Sequence, residues 1–332
     1  MSTLPRHPTY INPRQPIHWV LDWDGTITKH DTLDALVNIS ASIKPDFPVQ
    51  KFWEDLTQSY MDDYTATLAN LAPGGILPKT IEEEIALIRK LRAVEQRSLH
   101  RVSLSGIFAG LTTSAINAGI RECISSGQIG LRRGFAQFFE SMQTDKTDAS
   151  GQHKSKSQLS ILSVNWSQHF IASCLRAFNT PIPASSILSN ELQNLTQNLP
   201  SNGHIGPSNS ASMMIVSSDD KLRCLERLKQ EREASSSSPQ DTSTSSIPIV
   251  YVGDSLTDIE CLLAADLGIC IRDEPMGSGQ RKLAELDRLG VKVPRLKDWR
   301  EADEWNVVWA RDFVEIREWV EGLEEESGEA RD

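Results

Sequence analysis

The stretch Trp19-Val20-Leu21-Asp22-Trp23-Asp24-Gly25-Thr26 decides the reading of this chain. Three apolar residues run into two carboxylates at alternate positions, and a glycine follows. In extended backbone, residues i and i+2 point to one side, so Asp22 and Asp24 face a common site while Trp23 points away. Gly25 permits the sharp exit that a loop needs there. The bland alternative is a turn with two solvated aspartates. By composition alone, D-x-D-G-T arises by chance in well under about 1% of chains this long. Paired carboxylates at a strand end suit metal-assisted phosphoryl transfer, because hard oxygen ligands are what a magnesium ion takes.

Working outward, apolar runs at 17–21, 159–164, 247–252, 267–271 and 291–293 read as strands. Several lack polar alternation, as strands covered on both faces of a parallel sheet do. Helical patterns at 166–177, 221–232, 256–265 and 279–288 lie between them, and Trp305 with Trp309 reads as a helix face. The alternation predicts an α/β fold with a doubly wound, mostly parallel sheet. From about residue 32 to 130 the chain is rich in helical periodicity, as at 33–39, 52–60 and Ile81 to Leu91. A connection of that length predicts a unit of its own, a helical cap. The expected division is a core of 17–34 and 131–332, a cap of 35–130 and an N-terminal tail of 1–16. The polar segments 144–158 and 233–246 read as flexible insertions, since neither carries enough apolar area to offset ordering entropy.

The 332 residues are 39% hydrophobic, enough for a large core. A net charge of -11 argues against nucleic acid or an acidic membrane as partner, since both require a basic face. Part of that charge sits at 321–332 and reads as a solvated terminus. The five cysteines, Cys123, Cys174, Cys224, Cys261 and Cys270, form no C-x-x-C pair and read as reduced core thiols. No leader and no run of about 18 apolar residues is visible, so a soluble, cytoplasmic protein is expected.

A second acidic loop, Gly253-Asp254-Ser255-Leu256-Thr257-Asp258, follows the strand at 247–252. In open α/β sheets ligands bind at the carboxyl ends of strands, which is where both loops stand. If they converge, Asp22 and Asp254 supply oxygen ligands for Mg²⁺, and the Asp24 backbone carbonyl adds a third. Asp258, one turn beyond Asp254, would hold a metal-bound water or pair with a lysine. Ser163 ends the run at 159–162 ahead of a helix start, so its hydroxyl and the amide of Asn165 are phosphate-contact candidates. Lys221 is placed to neutralise phosphate oxygens and restrain Asp22. Standing alone, Ser163 reads as a helix cap and Lys221 as a surface residue of an amphipathic helix.

The ordered set D-W-D-G-T, Ser163, Lys221 and G-D-S-L-T-D resembles the four motifs of the haloacid dehalogenase superfamily, in its phosphoserine-phosphatase-like branch. Leu131-Arg132-Arg133-Gly134 is similar to the turn that re-enters the core after the cap, and Asn190-Glu191-Leu192 to the branch's N-E-L segment. The resemblance spans residues 17 to 295. It implies a Mg²⁺-dependent phosphomonoesterase acting on a small phosphorylated metabolite. Asp22 would be the nucleophile, forming an aspartyl-phosphate, and Asp24 the acid and then the base. It also implies substrate contact at Asp31, which stands where the branch carries a glutamate for the substrate ammonium. That shorter side chain, and Val164-Asn165 in place of two glycines after Ser163, point away from phosphoserine itself. The alternatives are a phosphotransferase or mutase of the same superfamily, and a catalytically retired ligand-binding or regulatory module.

Overall fold

The computed structural model describes residues 11–143, 157–236, 247–273, 285–301 and 305–322. Six strands form one parallel sheet: β1 (His18–Leu21), β2 (Gln158–Leu162), β3 (Ile187–Leu188), β6 (Ile249–Gly253), β7 (Leu267–Ile271) and β8 (Val307–Ala310). Their spatial order is β3-β2-β1-β6-β7-β8. The chain winds outward in opposite directions from the β1/β6 pair, so the order reverses between these two strands, where α/β sheets open a crevice. Register sets Leu21 beside Val252, with the Asp22 amide donating to the Val252 carbonyl at 2.9 Å. The two acidic loops therefore leave adjacent strands at the same level.

Period-two alternation divides the core into two faces. Trp19, Leu21, Val250, Val252, Ile269 and Ile271 pack with the helices α5 (Phe135–Gln143), α6 (Gln168–Ala177) and α9 (Phe313–Glu321). Val20, Ile249, Tyr251 and Cys270 pack with α7 (Ser218–Ser236) and α8 (Ile259–Ala264) on the other face. Helices thus cover both faces, which explains why the strands read as continuous apolar runs. All five cysteines are free and buried.

The helical cap stands between β1 and β2 as α1 (Leu33–Ser42), α2 (Val49–Leu71), α3 (Ile81–Ser105) and α4 (Thr113–Ser125). Helices α2 and α3 form a long antiparallel hairpin; Thr80 caps α3 by accepting from the Glu83 amide at 3.3 Å. The cap is bound to the core by ion pairs as well as by packing. Arg89 pairs with the buried Glu260, and Arg92 reaches the buried Asp220 with two guanidinium nitrogens, at 2.9 and 3.2 Å.

Several expectations differ from this fold. Residues 291–293 form no strand: the chain runs into Pro294, which has no N–H for a ladder. The edge strand is β8 instead, and Trp309 lies on it rather than on a helix. Two residues were enough for β3, too few to show a pattern, and the antiparallel pair β4 (Asn190–Leu192) with β5 (Ile205–Pro207) was not foreseen as strands. Of the expected insertions, 144–156 and 237–246 lie outside the described residues. Gln158 opens β2 and residues 233–236 extend α7. Residues 1–10 of the tail, 279–284 of the expected helix at 279–288, and 323–332 of the acidic terminus also lie outside them; 285–289 form a short 3-10 turn. Among the described residues no helix is long and apolar enough to cross a membrane.

Candidate active site

Asp22 leaves β1 into a tight turn closed by the Thr28 amide on the Trp23 carbonyl at 3.0 Å. Trp23 points into the core, where its indole N–H donates to Thr32 Oγ1 at 3.1 Å. Gly25 has φ +74°, and a Cβ there would lie 2.4 Å from Asp254 Oδ2. Only glycine lets the two acidic loops come this close. Arg132 holds the turn from behind: its backbone N–H donates to Ile27 O at 2.8 Å, and its guanidinium reaches the carbonyls of Gly25 and Thr26.

Lys221, in the first turn of α7, is fully buried between two carboxylates. Its Nζ donates to Asp22 Oδ1 and Asp258 Oδ1, each at 2.7 Å. Burial works against its charge, but Asp22 and Asp258 outweigh burial and raise its pKa above the ordinary lysine value. Asp258 is saturated. The Tyr251 hydroxyl donates to Oδ1 at 2.6 Å, while Oδ2 accepts from the Asp254 and Ser255 amides and the Ser255 hydroxyl at 3.0 to 3.2 Å. Asp254 Oδ1 accepts from Thr26 Oγ1 at 3.2 Å. Among the described residues no protein group donates to Asp22 Oδ2 or Asp254 Oδ2.

Ligand oxygens of Asp22, Asp254 and Asp258 lie within 4.8 Å of one another, all buried. Three carboxylates and one lysine leave a net negative charge in a dry place. Burial and the neighbouring Asp258 raise Asp22 well above the usual carboxylate range and push Asp254 up to about 7. Such a donor set fits a divalent cation: it is all oxygen, it is short of positive charge, and two of its oxygens take no protein donor among the described residues.

Asp24 turns the other way. Its Oδ1 accepts from the Thr32 amide at 2.8 Å and the Thr32 hydroxyl at 2.6 Å, and its Oδ2 from Asn165 Nδ2 at 2.9 Å. Burial, with the Asp31 charge adding, lifts its pKa to about 7 against the pull of these donors. Asn165, expected at the phosphate, thus spends its side-chain amide on Asp24 and Thr32, and its backbone amide on Ser163 Oγ at 3.0 Å. Ser163 is buried beside them at the end of β2. Asn190 braces this loop through the carbonyls of Val164 and Ile215, and Glu191 accepts from the Ser167 hydroxyl and the His169 amide, both at 2.7 Å, at the start of α6.

Between sheet and cap lies a cavity of about 500 Å³, floored by Asp22, Asp24, Ser163 and Asp254 and walled by cap side chains, with Asp31 at its margin. Asp31 Oδ1 accepts from the Leu33 amide at 2.7 Å where α1 begins. Thr32, Tyr251 and the cap wall were not read from the sequence. Thr32, a threonine directly ahead of a helix, carried a capping signal; Tyr251, inside an apolar strand, carried none.

A parallel sheet with carboxylates at its switch point and a helical cap above is the architecture implied by the haloacid dehalogenase resemblance. No protein-family model matches the chain. The chain is 28% identical over 256 residues to a CTO1 family protein of Schizosaccharomyces pombe, covering 76% of this chain and 81% of that protein. Among solved structures it is similar to a phosphoserine phosphohydrolase-like protein from Francisella tularensis, at 16% identity and TM-score 0.47, covering 91% of this chain and 98% of that one. It is also similar to a probable phosphoserine phosphatase from Vibrio cholerae, at 14% identity and TM-score 0.48, covering 93% and 65%.

Proposed function

We propose that the protein is a Mg²⁺-dependent phosphomonoesterase of the haloacid dehalogenase type, acting on a small phosphorylated metabolite in the cytoplasm. The observation that carries this is the Lys221 bridge between Asp22 and Asp258, with Asp254 alongside, beneath the cavity that Asp22 and Asp254 line. Five free, buried cysteines support a reducing compartment.

Asp22, Asp254 and the Asp24 backbone carbonyl would hold the ion, with Asp258 behind them. When bound, Mg²⁺ neutralises charge on the transferring phosphoryl oxygens. Asp22 attacks phosphorus as the P–O ester bond breaks, while Asp24 gives its proton to the leaving oxygen. Asp24 then takes a proton from the water that attacks the aspartyl-phosphate, and inorganic phosphate leaves as the bond to Asp22 breaks. Lys221 and the Ser163 hydroxyl contact phosphoryl oxygens. Asn165 and Thr32 hold Asp24, and a pKa near 7 suits a group that must both give and take a proton.

Purified protein is expected to hydrolyse p-nitrophenyl phosphate with added Mg²⁺. A wild type no faster than Asp22→Asn overturns the reading.

A further inference from the structure

The cavity above Asp22 extends past the carboxylates. Its cap wall is made by Trp53, Leu56 and Tyr60 of α2 and by Glu95 and Leu99 of α3. At Tyr60 and Glu95 it meets a second space of about 220 Å³, reaching Tyr64, Ile88 and Leu91. A leaving group therefore has room to run along an apolar and aromatic wall well beyond the phosphate.

The charged side chains lining the larger cavity have one sign, and the second space adds Arg92, whose guanidinium is held by Asp220. The Tyr60 hydroxyl donates to Glu95 Oε1 at 2.8 Å, and no cation is paired with Glu95 among the described residues. Asp31 adds a carboxylate at the margin of the cavity. No lysine, arginine or histidine is among the described residues lining the larger cavity. The arginines of α3 are committed elsewhere: Arg89 to Glu260, Arg92 to Asp220, and Arg97 and Arg101 to Asp63. A wall of this kind disfavours a leaving group with a carboxylate. It favours a cation, which relieves the half-buried Glu95 and lies well against aromatic faces.

Resting on the phosphomonoesterase reading, we propose that the substrate is the phosphate monoester of an organic amine, its cationic end seated against Glu95 and Tyr60. Glu95 is the residue that sets this specificity.

Three esters of matched length test it: 3-aminopropyl, n-butyl and 3-carboxypropyl phosphate, each assayed with Mg²⁺ beside p-nitrophenyl phosphate. The amine ester should exceed the butyl ester in kcat/KM by about tenfold or more, with the carboxylate ester poorest. Glu95→Gln should collapse the amine-to-butyl ratio through KM, Glu95→Asp should restore part of it, and Tyr60→Phe should lower it less. If wild type prefers the butyl or carboxylate ester, or if Glu95→Gln keeps the wild-type ratio, the assignment is overturned and the phosphatase reading stands. If no ester, p-nitrophenyl phosphate included, releases phosphate, the reading beneath it fails.

Discussion

Lys221 Nζ stands 2.7 Å from Asp22 Oδ1, joining two groups 199 residues apart in the chain, and makes an equal contact with Asp258. The lysine has no exposed surface. Removing it leaves two buried carboxylates without their cation, a loss of about 3–5 kcal/mol. Lys221→Met should therefore lower the melting temperature by on the order of 10 °C, read by calorimetry, and abolish phosphate release. Lys221→Met with Asp258→Asn should regain part of the stability and none of the activity. An unchanged melting temperature in the single variant would contradict the bridge.

Gly25 tests the approach of the two acidic loops. A methyl group at its Cβ position meets Asp254 Oδ2 at 2.4 Å, and φ +74° adds strain. Gly25→Ala should displace Asp254 and weaken Mg²⁺ binding about tenfold or more, measured as the thermal shift on Mg²⁺ titration. Equal titration curves for wild type and variant would dissociate the loops from metal binding.

Thr32 holds Asp24 through two hydrogen bonds, of which the hydroxyl supplies one at 2.6 Å. Donors to a carboxylate favour its charged form, so they keep the Asp24 pKa, about 7, from rising further. In Thr32→Val the Asp24 pKa should rise. The limb of the kcat–pH profile that reports Asp24 should move to higher pH, with kcat reduced about tenfold or more. A lower kcat with the limb unmoved would give Thr32 a structural role only.

His18, at the start of β1, has Nε2 2.9 Å from Ser160 Oγ. Burial, then the charge of Arg232, lowers its pKa from 6.5 to about 4. The unfolded chain therefore takes up a proton between these values while the folded chain does not. The contribution of neutral His18 is present above pH 6.5 and is lost as pH falls toward 4, by about 3 kcal/mol at most. His18→Gln should flatten the pH dependence of urea unfolding across that window. A parallel dependence in both proteins would refute the buried neutral imidazole.

Much of the fold was legible because its signals are local. Four of the six sheet strands lie within or overlap apolar runs, and the helical cap followed from a connection too long for a compact sheet. β3 and β8 escaped for the same reason that 291–293 misled: a short apolar segment has no period, and pairing with a neighbour decides whether it is a strand. At the site, Asp22, Asp254, Asp258 and Lys221 meet in space. Asn165 could not be placed, because whether its amide faces phosphate or Asp24 depends on Thr32 arriving from another loop.

The order of residues along the chain was enough to determine an α/β alternation, a helical insertion after the first strand, and acidic loops at strand ends, since strand and helix periods and turn residues are short-range properties. Tertiary structure alone decided which carboxylates share Lys221, that Asp24 faces Thr32 and Asn165, and that Glu95 and the cap aromatics line a cavity with no lysine, arginine or histidine among its described lining residues. Those outcomes rest on distances between segments tens to hundreds of residues apart, and charge acts through space rather than along the chain.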